Sequence, residues 1–167
     1  MKKTKRFSSK RQVLGLVEWL ALSFMFAALG GAGSIEAGSF YAALLHPDWA
    51  PQHHMFSLIW TFSYILISFS AWVIWRIDGF APARNVLLLF IAQLAVNSLW
   101  SWLFFEWHMG GAAFLNSVVL ACLVVATIVA FWRVKPLAGA LLLPYLLWVA
   151  FVGALTYALW QHNPQVL

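Results

Sequence analysis

An all-α membrane protein, a bundle of five transmembrane helices, is the fold class that this sequence predicts, and three observations predict it. The chain has 167 residues, of which 63% are hydrophobic and only 9% charged, with a mean hydropathy of +0.84; that balance lies outside the range of an ordinary soluble domain. Its apolar residues fall into five segments, each long enough to cross a bilayer, which takes about 20 residues. All ten Lys and Arg residues fall in alternate connections, as the positive-inside rule requires of a multi-pass chain.

Residues 1–12 read as a basic cytoplasmic tail carrying Lys2, Lys3, Lys5, Arg6, Lys10 and Arg11. The first span covers residues 13–35; its apolar run of about 23 residues is too long for the core of a cleaved signal peptide. It ends in AALGGAG, small residues that let helices approach closely. HPDWAPQHH breaks the chain before the second span, residues 55–75, and RIDGFAPAR before the third, residues 85–106. EWHMGG precedes the fourth, residues 112–132, and RVKP the fifth, residues 137–160. A short tail, 161–167, follows. The five spans form one domain, residues 13–160. Arg76, Arg84, Arg133 and Lys135 share the side of the N-terminal tail, so the N-terminus is expected in the cytoplasm and the C-terminus outside, in the periplasm if the membrane is a bacterial inner membrane. This distribution accounts for the net charge of +5 without a nucleic-acid partner.

The third span holds the densest polar content. Gln93, Asn97, Trp100, Ser101 and Phe104 share one helical face, and Ser57, Thr61, Tyr64 and Ser68 form a comparable stripe on the second span. Tyr145, Trp148 and Thr156 do so on the fifth. These faces are expected to look inward. Interhelical hydrogen bonds, worth about 0.6–2 kcal/mol each, explain the serines; Asn97 beside Trp100 also suits a cavity for a flat, partly polar ligand.

Of the eleven tryptophans, Trp19, Trp75, Trp107, Trp132 and Trp160 fall near span ends, where an aromatic belt accounts for them. Trp60, Trp100 and Trp148 lie deeper, roughly 9, 10 and 18 Å from the outer ends of their spans at 1.5 Å per residue, and are expected around one cavity in the outer half, with Trp49 of the loop over it. The histidines His46, His53, His54, His108 and His162 lie on the outer side without metal-ligand spacing, so no metal site is expected. Cys122 is single and is read as a buried filler. Glu18 sits close to the water boundary. No nucleophile–base pair, paired carboxylates or phosphate loop is present; residue chemistry leads to an intramembrane pocket for an aromatic ligand.

HPDWAP, the W-x-x-x-Y of Trp60 and Tyr64, QLAVNSLWSWLFF and PYLLWV, in that order and spacing, resemble the translocator protein family, known in bacteria as tryptophan-rich sensory proteins (TspO/MBR). The resemblance covers about residues 24–163. It implies a five-helix bundle, commonly a homodimer, with a pocket under the first outer loop for porphyrin or haem and other hydrophobic ligands, and no obligatory cofactor. It points to Trp49, Phe56, Trp60, Asn97, Trp100, Tyr145 and Trp148 as pocket positions. It further implies that Trp60 and Trp148 take part in light-dependent porphyrin breakdown in some members.

Three departures stand out: Phe40-Tyr41 for the family's W-Y, Trp49-Ala50-Pro51-Gln52 for its W-x-P-P, and Leu155-Thr156-Tyr157 for its L-N-Y. No basic residue follows Tyr157 closely, which argues against a sterol ligand. The expected function is a tetrapyrrole-binding sensor or regulator. The alternatives are a light-dependent porphyrin-degrading enzyme, whose chemistry would belong mainly to the ligand, and a transporter. Against the transporter stands the lack of a mid-span carboxylate or a span broken at mid-depth by a Gly/Pro pair.

Overall fold

The computed structural model describes residues 7–167, apart from the side chains of His53 and Asp78. Lys2, Lys3, Lys5 and Arg6, and the side chain of His53, lie outside the described residues. Helix α1, Ser9–Ala32, begins where the hydroxyl of Ser8 accepts from the amide of Arg11 at 3.4 Å, capping one of the orphan donors of its first turn. A short helix α2, Ala37–Ala43, lies in the first loop, and α3 runs from His53 to Asp78, stopped by Gly79 at φ +86°, a conformation that suits glycine. Helix α4, Arg84–Ser101, passes into a π-helical turn at Trp102–Glu106; α5 is Gly110–Val134, α6 Pro136–Leu141 and α7 Leu143–His162.

Among the described residues five stretches are long and apolar enough to cross a membrane: Ser9–Ala32, His54–Ile77, Arg84–Glu106, Gly110–Val134 and Pro136–His162. The chain is an all-α, five-span membrane protein. Two spans are less regular than expected. Pro144 has no N–H for the carbonyl four residues back, and the fifth span breaks between α6 and α7, with Leu142 N–H donating to Gly139 at 3.1 Å. In the third span Trp107 N–H reaches back five residues to Trp102 O at 2.8 Å, inserting a π turn that composition did not announce.

The spans form a closed ring in which α1 packs on α3 and α4, α5 on α4 and α7, and α6 on α3. Ile67, Ala71, Leu87, Phe90, Leu94, Val124 and Phe131 are fully buried at its centre. Polar side chains tie the helices by donating to carbonyls of neighbouring spans: Ser70 Oγ to Ala138 O (2.6 Å), Ser98 Oγ to Phe26 O (2.7 Å), Trp102 Nε1 to Leu29 O (2.9 Å) and Asn116 Nδ2 to Val96 O (3.0 Å). Away from water such groups need internal partners.

Some expected placements fail. Trp19 is buried and meets Phe90 edge-on at 5.7 Å, so it is core rather than belt. Cys122 is exposed on α5 instead of buried; on a lipid-facing surface a small apolar thiol carries no desolvation cost. Ser57 and Thr61 are exposed, whereas Tyr64 and Ser68 of the same stripe are buried. The reason for that split is the cavity described next.

Candidate functional site

In the half of the bundle far from the basic residues, α1, α2, α3 and α4 surround a cavity of about 380 Å³, within the usual range of about 300–1,000 Å³ for small-molecule sites. Small residues make the α1 wall, Ala27, Gly30 and Gly31, and Ser34 of the turn that follows extends it. The AALGGAG run therefore opens space on one side while it docks on the other, where a Cβ on Gly33 would lie 2.8 Å from the indole of Trp102. Trp60 and Tyr64 of α3 face Asn97 and Trp100 of α4 across the interior. Tyr41 of α2 and Phe56 close the top; their rings meet edge-on at 5.6 Å.

The floor is polar. Asn97 Nδ2 donates to the Tyr64 hydroxyl at 2.6 Å, both side chains being buried, and Phe24 of α1 leans on Tyr64 at 6.0 Å between ring centres. Above that contact the lining residues of α1 and α3 that remain exposed are Phe24, Gly31, Ser57 and Thr61, so the cavity opens sideways between these two spans. Ser57 and Thr61 edge this opening, and Thr61 Oγ1 satisfies itself on Ser57 O at 2.8 Å.

Of the seven expected site residues, Phe56, Trp60, Asn97 and Trp100 line the cavity. Trp148 stands one row behind, edge-on to Trp60 at 6.1 Å and to Phe56 at 5.6 Å. Tyr145 is fully buried beside Trp60, at 6.3 Å. Trp49 is 50% exposed and rests on Phe151 at 5.7 Å, on the α7 side, away from the cavity wall. Three of these buried side chains have a polar atom without a partner, namely Trp100 Nε1, Trp148 Nε1 and Tyr145 OH. Unpaired buried donors are uncommon, and here they gather around one place. A void of about 10 Å³ lies behind Asn97 and Trp100, next to Ser117.

Sequence reasoning missed the α1 wall and the roof. The small residues read as packing, and nothing in SIEAGSFYAA announced a helix that turns Tyr41 inward. Tyr41 donates to Pro51 O at 3.0 Å, and burial pushes its phenol pKa up. Asn163 then staples the loop to the end of α7, accepting from Leu45 N at 2.8 Å and donating to Leu45 O at 3.0 Å. His46 packs edge-on to Tyr41 at 4.3 Å and His108 stacks on Phe40 at 4.3 Å. Among the described residues no three His, Cys, Asp or Glu side chains converge on a metal-sized site.

The profile of the TspO/MBR family matches residues 19–161, nearly all of the membrane-spanning chain. The chain belongs to the TspO/MBR family. Relatives include protein CrtK of Rhodobacter capsulatus, 38% identical over 150 residues, which cover 86% of this chain and 92% of that one. The human translocator protein is 35% identical over 130 residues, 77% of each chain. The tryptophan-rich protein TspO of Archaeoglobus fulgidus is 32% identical over 154 residues, 90% of this chain and 99% of that one.

Proposed function

We propose that this chain is a tetrapyrrole-binding sensor or regulator that takes porphyrin or haem into the cavity between α1, α3 and α4. The observation that carries the reading is the cavity itself: aromatic walls from Trp60 and Trp100, ending inward in the Asn97–Tyr64 amide–phenol pair. Rings that stack on a macrocycle contribute about 0.5–1.5 kcal/mol each. The sideways opening suits a ligand that partitions into lipid and is wider than the enclosed space. By the positive-inside rule the cavity belongs to the outer half of the membrane, with the N-terminus cytoplasmic. A reporter fused after Leu167 is then active outside the cytoplasm and one inserted near Gly79 is active inside; the reverse pattern overturns this orientation.

A second reading rests on the Trp60–Trp148 contact at 6.1 Å. Trp60 lies in the wall and Trp148 directly behind it, so two oxidisable indoles form a short path leading away from a bound photosensitiser. On this reading the chain promotes light- and dioxygen-dependent porphyrin loss. Titration of the purified protein with protoporphyrin IX, in the dark and then in light, separates the readings. Saturable quenching of tryptophan fluorescence with the porphyrin intact supports the sensor. Light-dependent porphyrin loss with a new product supports the enzyme, and ligand flux in sealed vesicles a transporter. Absence of saturable binding removes the tetrapyrrole reading.

A further inference from the structure

At the opposite, basic end, α1 and α3 build a corner from aromatic rings and two arginines. Phe7 stacks on Trp75 with ring centres 5.0 Å apart. Trp72 Nε1 donates to Gln12 O at 2.8 Å, and Gln12 Nε2 donates to Phe7 O at 2.9 Å. The start of α1 and the last turns of α3 are thus fixed against each other. Each side of the corner carries a guanidinium on a ring: Arg11 Cζ lies 4.4 Å from the centre of Phe7, and Arg76 Cζ 4.5 Å from Trp72. Both arginines are exposed, and among the described residues neither has a carboxylate within 4.0 Å.

The positive-inside rule accounts for the sign of this charge but not for its posture. An arginine left free on a surface holds no fixed place; stacking uses the π face of the guanidinium and leaves its N–H donors at the edge, free for a bidentate acceptor. The height also matters. Helices of 24 and 26 residues are about 36 and 39 Å long, more than the roughly 30 Å of hydrocarbon, so the corner stands at headgroup level. Below this end of α1, Val13, Leu14 and Val17 are each more than half exposed, apolar surface at the depth of the acyl chains.

We infer that this corner binds the headgroup phosphate of an anionic phospholipid, held by Arg11 and Arg76, with the acyl chains along α1. A zwitterionic lipid carries the same phosphate together with an ammonium that meets the two cations unfavourably, so the site selects for net negative charge.

The test counts lipid retained by the purified full-length chain in neutral detergent, by native mass spectrometry, with phosphatidylglycerol and phosphatidylcholine of identical acyl chains. Phosphatidylglycerol is expected to be retained in preference. Arg11→Gln with Arg76→Gln weakens that retention at least about tenfold, from roughly 1 kcal/mol per basic residue. Arg84→Gln with Arg133→Gln, the same loss of charge at the same end, leaves it within about twofold. Arg11→Lys with Arg76→Lys preserves charge and falls in between, because an ammonium lacks the planar fork; this pair decides the matter if the glutamine pair does not fold. Equal losses in the two glutamine pairs, or equal retention of both lipids by the wild type, overturns the site. Displacement of phosphatidylglycerol by millimolar inorganic phosphate overturns the lipid assignment in favour of a free anion.

Discussion

At the basic end the space between α1 and α3 is filled by Trp75, whose ring sits so close to Gly15 that an added Cβ would lie 2.2 Å from it. At the far end the same two helices part around a cavity of about 380 Å³. The polar atoms divide in the same way. Donors are spent on carbonyls of neighbouring spans in both halves, by Ser70 and Trp72 near the basic end and by Ser98, Trp102 and Asn116 near the cavity end, but the described buried atoms without partners, among them Gln93, Tyr145, Trp100, Trp148 and His46, run from mid-depth to the cavity end. One half is packed, and the other keeps volume and unspent donors, which on the proposed reading serve the ligand. The lesson is that stability and binding can be changed separately by choosing the half.

The sharpest break between them is Phe90→Ala. Phe90 is fully buried, stacked on Phe131 at 6.1 Å and met edge-on by Trp19. Its loss is expected to cost about 3 kcal/mol of stability, the lower end of the aromatic-to-alanine range, since lipid tails accommodate an apolar ring as readily as the core does. Unfolding in detergent measures this, while protoporphyrin IX affinity of the folded fraction stays within about threefold. An affinity that falls in step with stability would join the two halves energetically.

Asn97→Leu tests the seam where they meet. It leaves the Tyr64 hydroxyl without its donor, and porphyrin binding is expected to weaken by about 1 kcal/mol or more while the chain stays folded. Tyr64→Phe, which frees the amide to turn toward the ligand, keeps affinity within about threefold. If the midpoint of unfolding drops for Asn97→Leu and affinity does not, the amide belongs to the packed half.

Within the open half, Trp60→Phe combined with Trp148→Phe keeps the stacking faces but removes the oxidisable indoles. Affinity is expected to change by less than about tenfold. Any light-dependent porphyrin loss shown by the wild type disappears in the double variant; loss at an equal rate in both would remove the indoles from that chemistry.

The division was only partly legible in the sequence. Segment length and alternating charge gave five spans, because a bilayer enforces both. The inward stripe of Gln93, Asn97, Trp100 and Phe104 was legible because helical spacing puts these side chains on one face. Ser57 and Thr61 broke the same logic: they edge the opening of the cavity, where a residue of an inward stripe stays exposed. The α1 wall was hidden because glycine and alanine serve a close contact and an empty space equally well, and only the third dimension tells Gly33, pressed on Trp102, from Gly31, with nothing within 4 Å of its absent Cβ. Trp49 followed its place in the loop to the α7 side, a path that spacing along the chain does not encode. Neither the π turn at Trp102–Glu106 nor helix α2 carried a composition signal.

Gly31 therefore offers the most direct test of the claim that the open half is the ligand site. It lines the cavity and a Cβ there meets no neighbour within 4 Å, so Gly31→Trp is expected to take up cavity volume, and replacing a helical glycine adds helix propensity. The measurement is dark titration of the variant and the wild type with protoporphyrin IX, followed by quenching of tryptophan fluorescence, with the midpoint of unfolding recorded for each. Affinity is expected to be at least about tenfold weaker in Gly31→Trp, with the midpoint unchanged or raised; equal saturable affinity in the two proteins would mean that the porphyrin does not enter this cavity.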